Sequence, residues 1–80
     1  MTEKLFLNIN ASTRVTYDPH QWIVQTKKEA GARWREKAFV ASNFATLMRV
    51  LDEMGVRVPK KAKATLPPSE GFQAWYAKET

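Results

Sequence analysis

At 80 residues the chain has interior for one hydrophobic core, which excludes a multidomain architecture and leaves a single domain over residues 1–80. It contains no cysteine, so disulfide frameworks and thiolate metal sites are excluded, and the core must be built from Trp, Phe, Leu, Ile, Val and Met side chains. Thirteen Lys and Arg against eight Asp and Glu give a net charge of +5, which favours anionic partners as well as plain solubility.

The first strand signal is "KLFLNI" at residues 4–9, which alternates weakly before the polar "NAST"; a second short strand is expected over "RVTY". Asp18-Pro19 then marks a turn, with His20 in it as a polar loop residue. "WIVQT" follows, rich in aromatic and β-branched residues, and "RWREKAFVA" is its expected partner. The short, polar, glycine-bearing "KKEAG" between them completes a hairpin over 21–27 and 33–41.

The hairpin register follows from matching apolar faces, because a one-residue slip exchanges the faces. Trp22 opposite Val40 and Val24 opposite Ala38 gather four apolar side chains on one side. Unbroken alternation then sends Arg33, Arg35 and Lys37 to the other side, which also carries Ile23 and Phe39.

In "SNFATLMRVLDEMGV" Phe44, Leu47, Met48, Leu51 and Met54 recur at helical spacing, so the main helix is expected over 43–55, packed across the apolar face of the hairpin. Ser42 or Asn43 suits its N-cap, and Gly55 its stop, with Val56 touching Leu51. Residues 57–68, basic and proline-bounded, read as a connector or extended arm. A short C-terminal helix over 69–78, capped by Ser69, places Phe72, Trp75 and Tyr76 on one face. Alone it would be unstable, so it requires a surface, most economically the domain's own sheet. The fold class is therefore α+β: a small antiparallel sheet packed on one main helix, with a short C-terminal helix.

Catalytic groups are scarce. His20 is the only histidine, Asp52 and Glu53 diverge by about 100° on a helix, and the three glycines are too scattered for a phosphate loop. There is no Ser, His, Asp set and no zinc spacing. The chain is expected to be no enzyme and to need no cofactor or metal.

Binding features are richer. Residues 27–63 hold ten cations and four anions, whereas the flanks are about neutral. Arg33, Arg35 and Lys37 are the main partner-binding candidates, extended across the turn by Lys27 and Lys28, with Trp34 as a stacking plane if exposed or a core residue beside Thr26 if not. Such a surface suits phosphates, spaced comparably to alternate strand residues, and equally protein carboxylates, which arginine grips bidentately. Lys60, Lys61 and Lys63, with Trp75 and Tyr76, form a secondary set. A ribbon-helix-helix repressor is excluded by the proline-bounded interruption after the main helix, and an RNA-recognition sheet lacks its aromatic-rich glycine motif.

The order "YDPHQWIVQTKK", a short turn and "RWREKAFVASNFATLMRVLDEMGV" resembles a pattern in small phage and prophage proteins, over residues 17–56. At the level of a class, short, cysteine-poor, non-enzymatic anti-CRISPR proteins are similar. The resemblance implies an inhibitor that docks on a host effector complex and blocks target DNA binding or nuclease recruitment, in the host cytoplasm. Because many such inhibitors are acidic DNA mimics and this chain is basic, it implies contact with an acidic protein surface or competition for an RNA or DNA path. Direct nucleic-acid binding through the hairpin, and a homodimer assembled through Trp75 and Tyr76, are the alternatives. No membrane partner is expected, since no stretch approaches the roughly 20 apolar residues of a span and the start lacks a signal-peptide core.

Overall fold

The strand signals of the first half form a four-stranded antiparallel sheet in sequence order: β1 (Lys4–Asn10), β2 (Thr13–Tyr17), β3 (Trp22–Thr26) and β4 (Arg35–Val40). Three helices follow, α1 (Phe44–Glu53), α2 (Lys60–Lys63) and α3 (Phe72–Glu79), so the chain is α+β. The computed structural model describes residues 4–28, 31 and 33–79. The hairpin turn expected over 27–31 falls partly outside them.

Short polar residues set the first two turns. Asn10 Oδ1 accepts the Ser12 N–H at 2.8 Å, closing the β1–β2 turn. Asp18 Oδ1 accepts the N–H groups of His20 at 2.8 Å and Gln21 at 3.0 Å, so His20 is an exposed turn residue.

The expected register holds where apolar matching specified it, with Trp22 opposite Val40 and Val24 opposite Ala38. Val15 and Tyr17 of β2 stand opposite Val24 and Trp22, continuing the apolar face. On β1, register shifts between Leu5 and Leu7 and between Asn8 and Asn10 break the alternation, which is why Phe6, Leu7 and Ile9 can all join the core. Trp22 is the hub: its ring lies 5.4 Å from Phe6, 6.2 Å from Phe44, 5.2 Å from Phe72 and 5.8 Å from Trp75. Its buried Nε1 has no hydrogen-bond partner among the described residues.

Helix α1 forms as its sequence demands. Asn43 caps it, accepting the Thr46 N–H at 2.9 Å. At the other end Gly55, at φ +80°, donates to the Asp52 carbonyl while Val56 donates to that of Leu51, the paired bonds of a glycine helix stop. Phe44, Leu47 and Leu51 are the buried stripe.

Two expectations change. Residues 57–68 are not an extended arm, for they contain the single turn α2, and Val58 and Ala62 are buried in the core. The C-terminal helix begins at Phe72, and Ser69 does not cap it. Instead residues 68–71 serve α1: the N–H groups of Phe44 and Ala45, which no helix can satisfy internally, donate to the carbonyls of Glu70 at 2.8 Å and Pro68 at 2.9 Å. In return Phe72 donates to the Ser42 carbonyl at 2.9 Å. This exchange and the Lys78–Glu70 ion pair at 3.2 Å tie α3 down, and its Phe72 and Trp75 are buried beside Trp22.

The helical residues of the core all meet one face of the sheet. The smallest dimension of the molecule is 18 Å, room for a sheet and one helical layer given a spacing of about 10 Å per layer. Among the described residues, no helix covers the other face. None is long and apolar enough to cross a membrane.

Candidate functional site: the open face of the sheet

The uncovered face is made of the residues that alternate with the core positions. Register places Leu5, Thr16, Ile23 and Phe39 side by side across the four strands. The next row is Asn8, Arg14, Gln25 and Glu36. Leu5 and Phe39, at the two ends of the first row, are 57% and 55% exposed, while Ile23 between them is 3% exposed. An apolar band thus crosses a face that water reaches at both margins, with a polar row beside it.

The unbroken alternation expected over residues 33–37 fails at Lys37. The β3–β4 ladder shifts between Val24 and Gln25, so that Glu36, not Lys37, stands opposite Gln25, and Arg35 stands opposite Thr26. Lys37 is the extra, unpaired residue of a bulge. One inserted residue resets the alternation beyond it. Arg35 consequently shares the side of Thr26 and Val24, the helix side, while Glu36 takes the open side. Arg33 lies ahead of the strand. The three cations therefore do not form one stripe, although all are exposed.

The same bulge turns Trp34 outward. Without it Trp34 would share the side of Ala38 and Val40; with it Trp34 shares that of Glu36. There the ring meets two cations, the Arg14 guanidinium carbon 4.2 Å and the Lys27 Nζ 4.7 Å from its centroid. Arg14 Nε also donates to Gln25 Oε1 at 2.7 Å. Gln25 is only 4% exposed, so Arg14 and Trp34 form a layered lid on the polar row. Trp34 is half-buried, and it belongs to the open face, not to the core.

Compared with known protein families, curated proteins and solved structures, the chain matches none.

Of the remaining candidates, Lys28 is exposed near the turn. Lys60, Lys61 and Lys63 are exposed on α2: Lys63 lines a cavity with Arg49 and Arg57, and Lys61 lines another with Leu7 and Asn8. Trp75 is buried, and Tyr76 is half-buried and stacks on Phe72 at 5.5 Å. Arg14 lies outside the charge excess of residues 27–63. Alternation in "TRVTY" alone would have put it on the open face. Among the described residues, no group of three or more His, Asp or Glu stands close enough to hold a metal ion.

Proposed function

We propose that this protein is a non-catalytic, cytoplasmic binding module that docks through the open face of its sheet on an acidic surface of a protein partner. The observation that carries the reading is the exposed pair Leu5 and Phe39 at the ends of an apolar band bordered by Arg14 and Lys27. Exposed apolar side chains beside a cationic row suit a protein contact, and arginine is enriched at such contacts. Arg33, Lys28 and Lys37, exposed around the same hairpin, extend the cationic rim. The resemblance of residues 17–56 to small phage proteins supports a host effector complex, of the CRISPR type, as the partner, and inhibition of its target binding or nuclease recruitment as the outcome.

A second reading, direct nucleic-acid binding, draws on the same cations and on Phe39. It is weaker because the Trp34 ring is already engaged by Arg14 and Lys27, which leaves Phe39 as the exposed ring for base stacking on this face. The homodimer reading loses its anchor, since Trp75 is used inside the protein's own core.

Affinity purification from host lysate, with and without nuclease treatment, separates the two binding readings. Retention of an acidic protein after nuclease digestion is the expected result. Loss of all captured material on digestion, together with a mobility shift whose affinity falls steeply with salt, would replace the protein reading by the nucleic-acid one.

A further inference from the structure

A second surface lies in the helical layer, apart from the open face. The last turns of α1 and the segment that follows its glycine stop enclose an open cavity of about 560 Å³, within the size range of small-molecule sites. Its rim carries Arg49 from α1, Arg57 from the segment beyond Gly55, and Lys63 from the end of α2. Residues far apart in sequence converge here because the stop at Gly55 turns the chain back along the helix it has just left, the Val56 N–H being held by the Leu51 carbonyl at 3.0 Å.

The charges on this rim are unmatched. Asp52 is the single carboxylate among the lining residues, and the Lys78–Glu70 contact is the only ion pair among the described residues. Arg49, Arg57 and Lys63 therefore face the cavity as three cations against one anion, a concave arrangement that concentrates positive potential. A surplus of two positive charges suits phosphate groups, which carry more than one negative charge, better than a lone carboxylate. Arginine forks suit phosphate oxygens, and lysine adds a point charge. Met48 and Val56, both half-buried, and the buried Val58 supply the apolar part of the lining.

From these observations we infer a small-ligand site: the cavity binds a phosphorylated molecule, nucleotide-like in build, with its phosphates among Arg49, Arg57 and Lys63 and its apolar ring against Met48 and Val56. The site is independent of the docking face, so either can fail without the other.

Titration of the ¹⁵N-labelled protein with ADP at physiological salt, followed by amide shifts, tests the inference. ADP should bind saturably, with shifts centred on Arg49, Gly55, Val56 and Arg57, and more tightly than pyrophosphate or adenosine alone. An Arg49→Glu, Arg57→Glu variant should bind ADP about tenfold or more weakly, its spectrum otherwise reporting an intact fold, while Arg33→Glu should bind as the parent does. Unsaturable shifts spread over all the basic residues, or undiminished affinity in the double variant, would overturn the site. Equal affinity for ADP and pyrophosphate would overturn the role of the apolar wall.

Discussion

The Arg14 guanidinium lies over the Trp34 ring, 4.2 Å from its centroid, and joins two segments that sequence places 20 residues apart. A cation over a partly exposed indole contributes about 0.5–1 kcal/mol, and here the same arginine also binds Gln25. A double-mutant cycle with Arg14→Met and Trp34→Leu should give a coupling of about 0.5–1 kcal/mol in denaturant unfolding. Additive losses would mean that the contact contributes nothing.

The bulge at Lys37 makes an unusual prediction about deletions. Removing one residue from a paired strand ordinarily sends every side chain beyond it to the wrong face. Deleting Lys37, however, leaves Glu36 opposite Gln25 and Ala38 opposite Val24, a regular ladder with every face unchanged. Its unfolding free energy should stay within about 1 kcal/mol of the parent's. Deleting Ala38 instead brings Lys37 opposite Val24 on the core face, and should cost several times more by the same measurement. Equal losses would argue against the bulge.

The hairpin separates what the sequence specifies from what it leaves open. Trp22, Val24, Ala38 and Val40 are apolar, so only one register buries all four, and the pairing could be read directly. The segment from Arg35 to Lys37 is uniformly charged, so either alternation was equally acceptable there and nothing betrayed the extra residue. Trp34 alone carried a cue, and an indole is as much at home over two cations as in a core. The start of α3 is hidden for a different reason: the residues ahead of it, Pro68 and Glu70, are committed to α1 through the Phe44 and Ala45 amides, a tertiary contact that local capping rules do not see. The convergence of Arg49, Arg57 and Lys63 was equally hidden, because it depends on the chain reversal at Gly55.

Trp22 tests the core. Its truncation to Ala should cost about 3–5 kcal/mol, comparable to the whole stability of a domain this small, and should leave the protein largely unfolded at room temperature. Trp22→Phe removes an indole N–H that has no partner among the described residues, so no hydrogen bond within them is broken, and the loss should be only about 1–2 kcal/mol from lost volume. Urea midpoints at unchanged slope measure both. A loss for Phe as large as that for Ala would indicate that the N–H makes a contact the geometry does not provide.

The two ends of α1 should contribute separately. Asn43→Ala removes the acceptor for the Thr46 N–H and should cost about 1 kcal/mol. Gly55→Ala forces a side chain into a left-handed backbone at φ +80° and should cost about 1–2 kcal/mol. Being at opposite ends of the helix, the two should add within about 0.5 kcal/mol in a double variant, checked by thermal or urea unfolding.

The central claim is that the uncovered face of the sheet is where the partner sits, and Leu5 and Phe39 are its most direct handles because both are more than half exposed and neither belongs to the main core. The deciding measurement is the affinity of the partner retained after nuclease treatment for the Leu5→Asp, Phe39→Asp variant, with its fold verified by circular dichroism. The account predicts a loss of about a hundredfold or more, the scale of removing two interface anchors, with no change for Arg49→Glu, Arg57→Glu in the helical layer. Undiminished affinity in the folded open-face variant would contradict it.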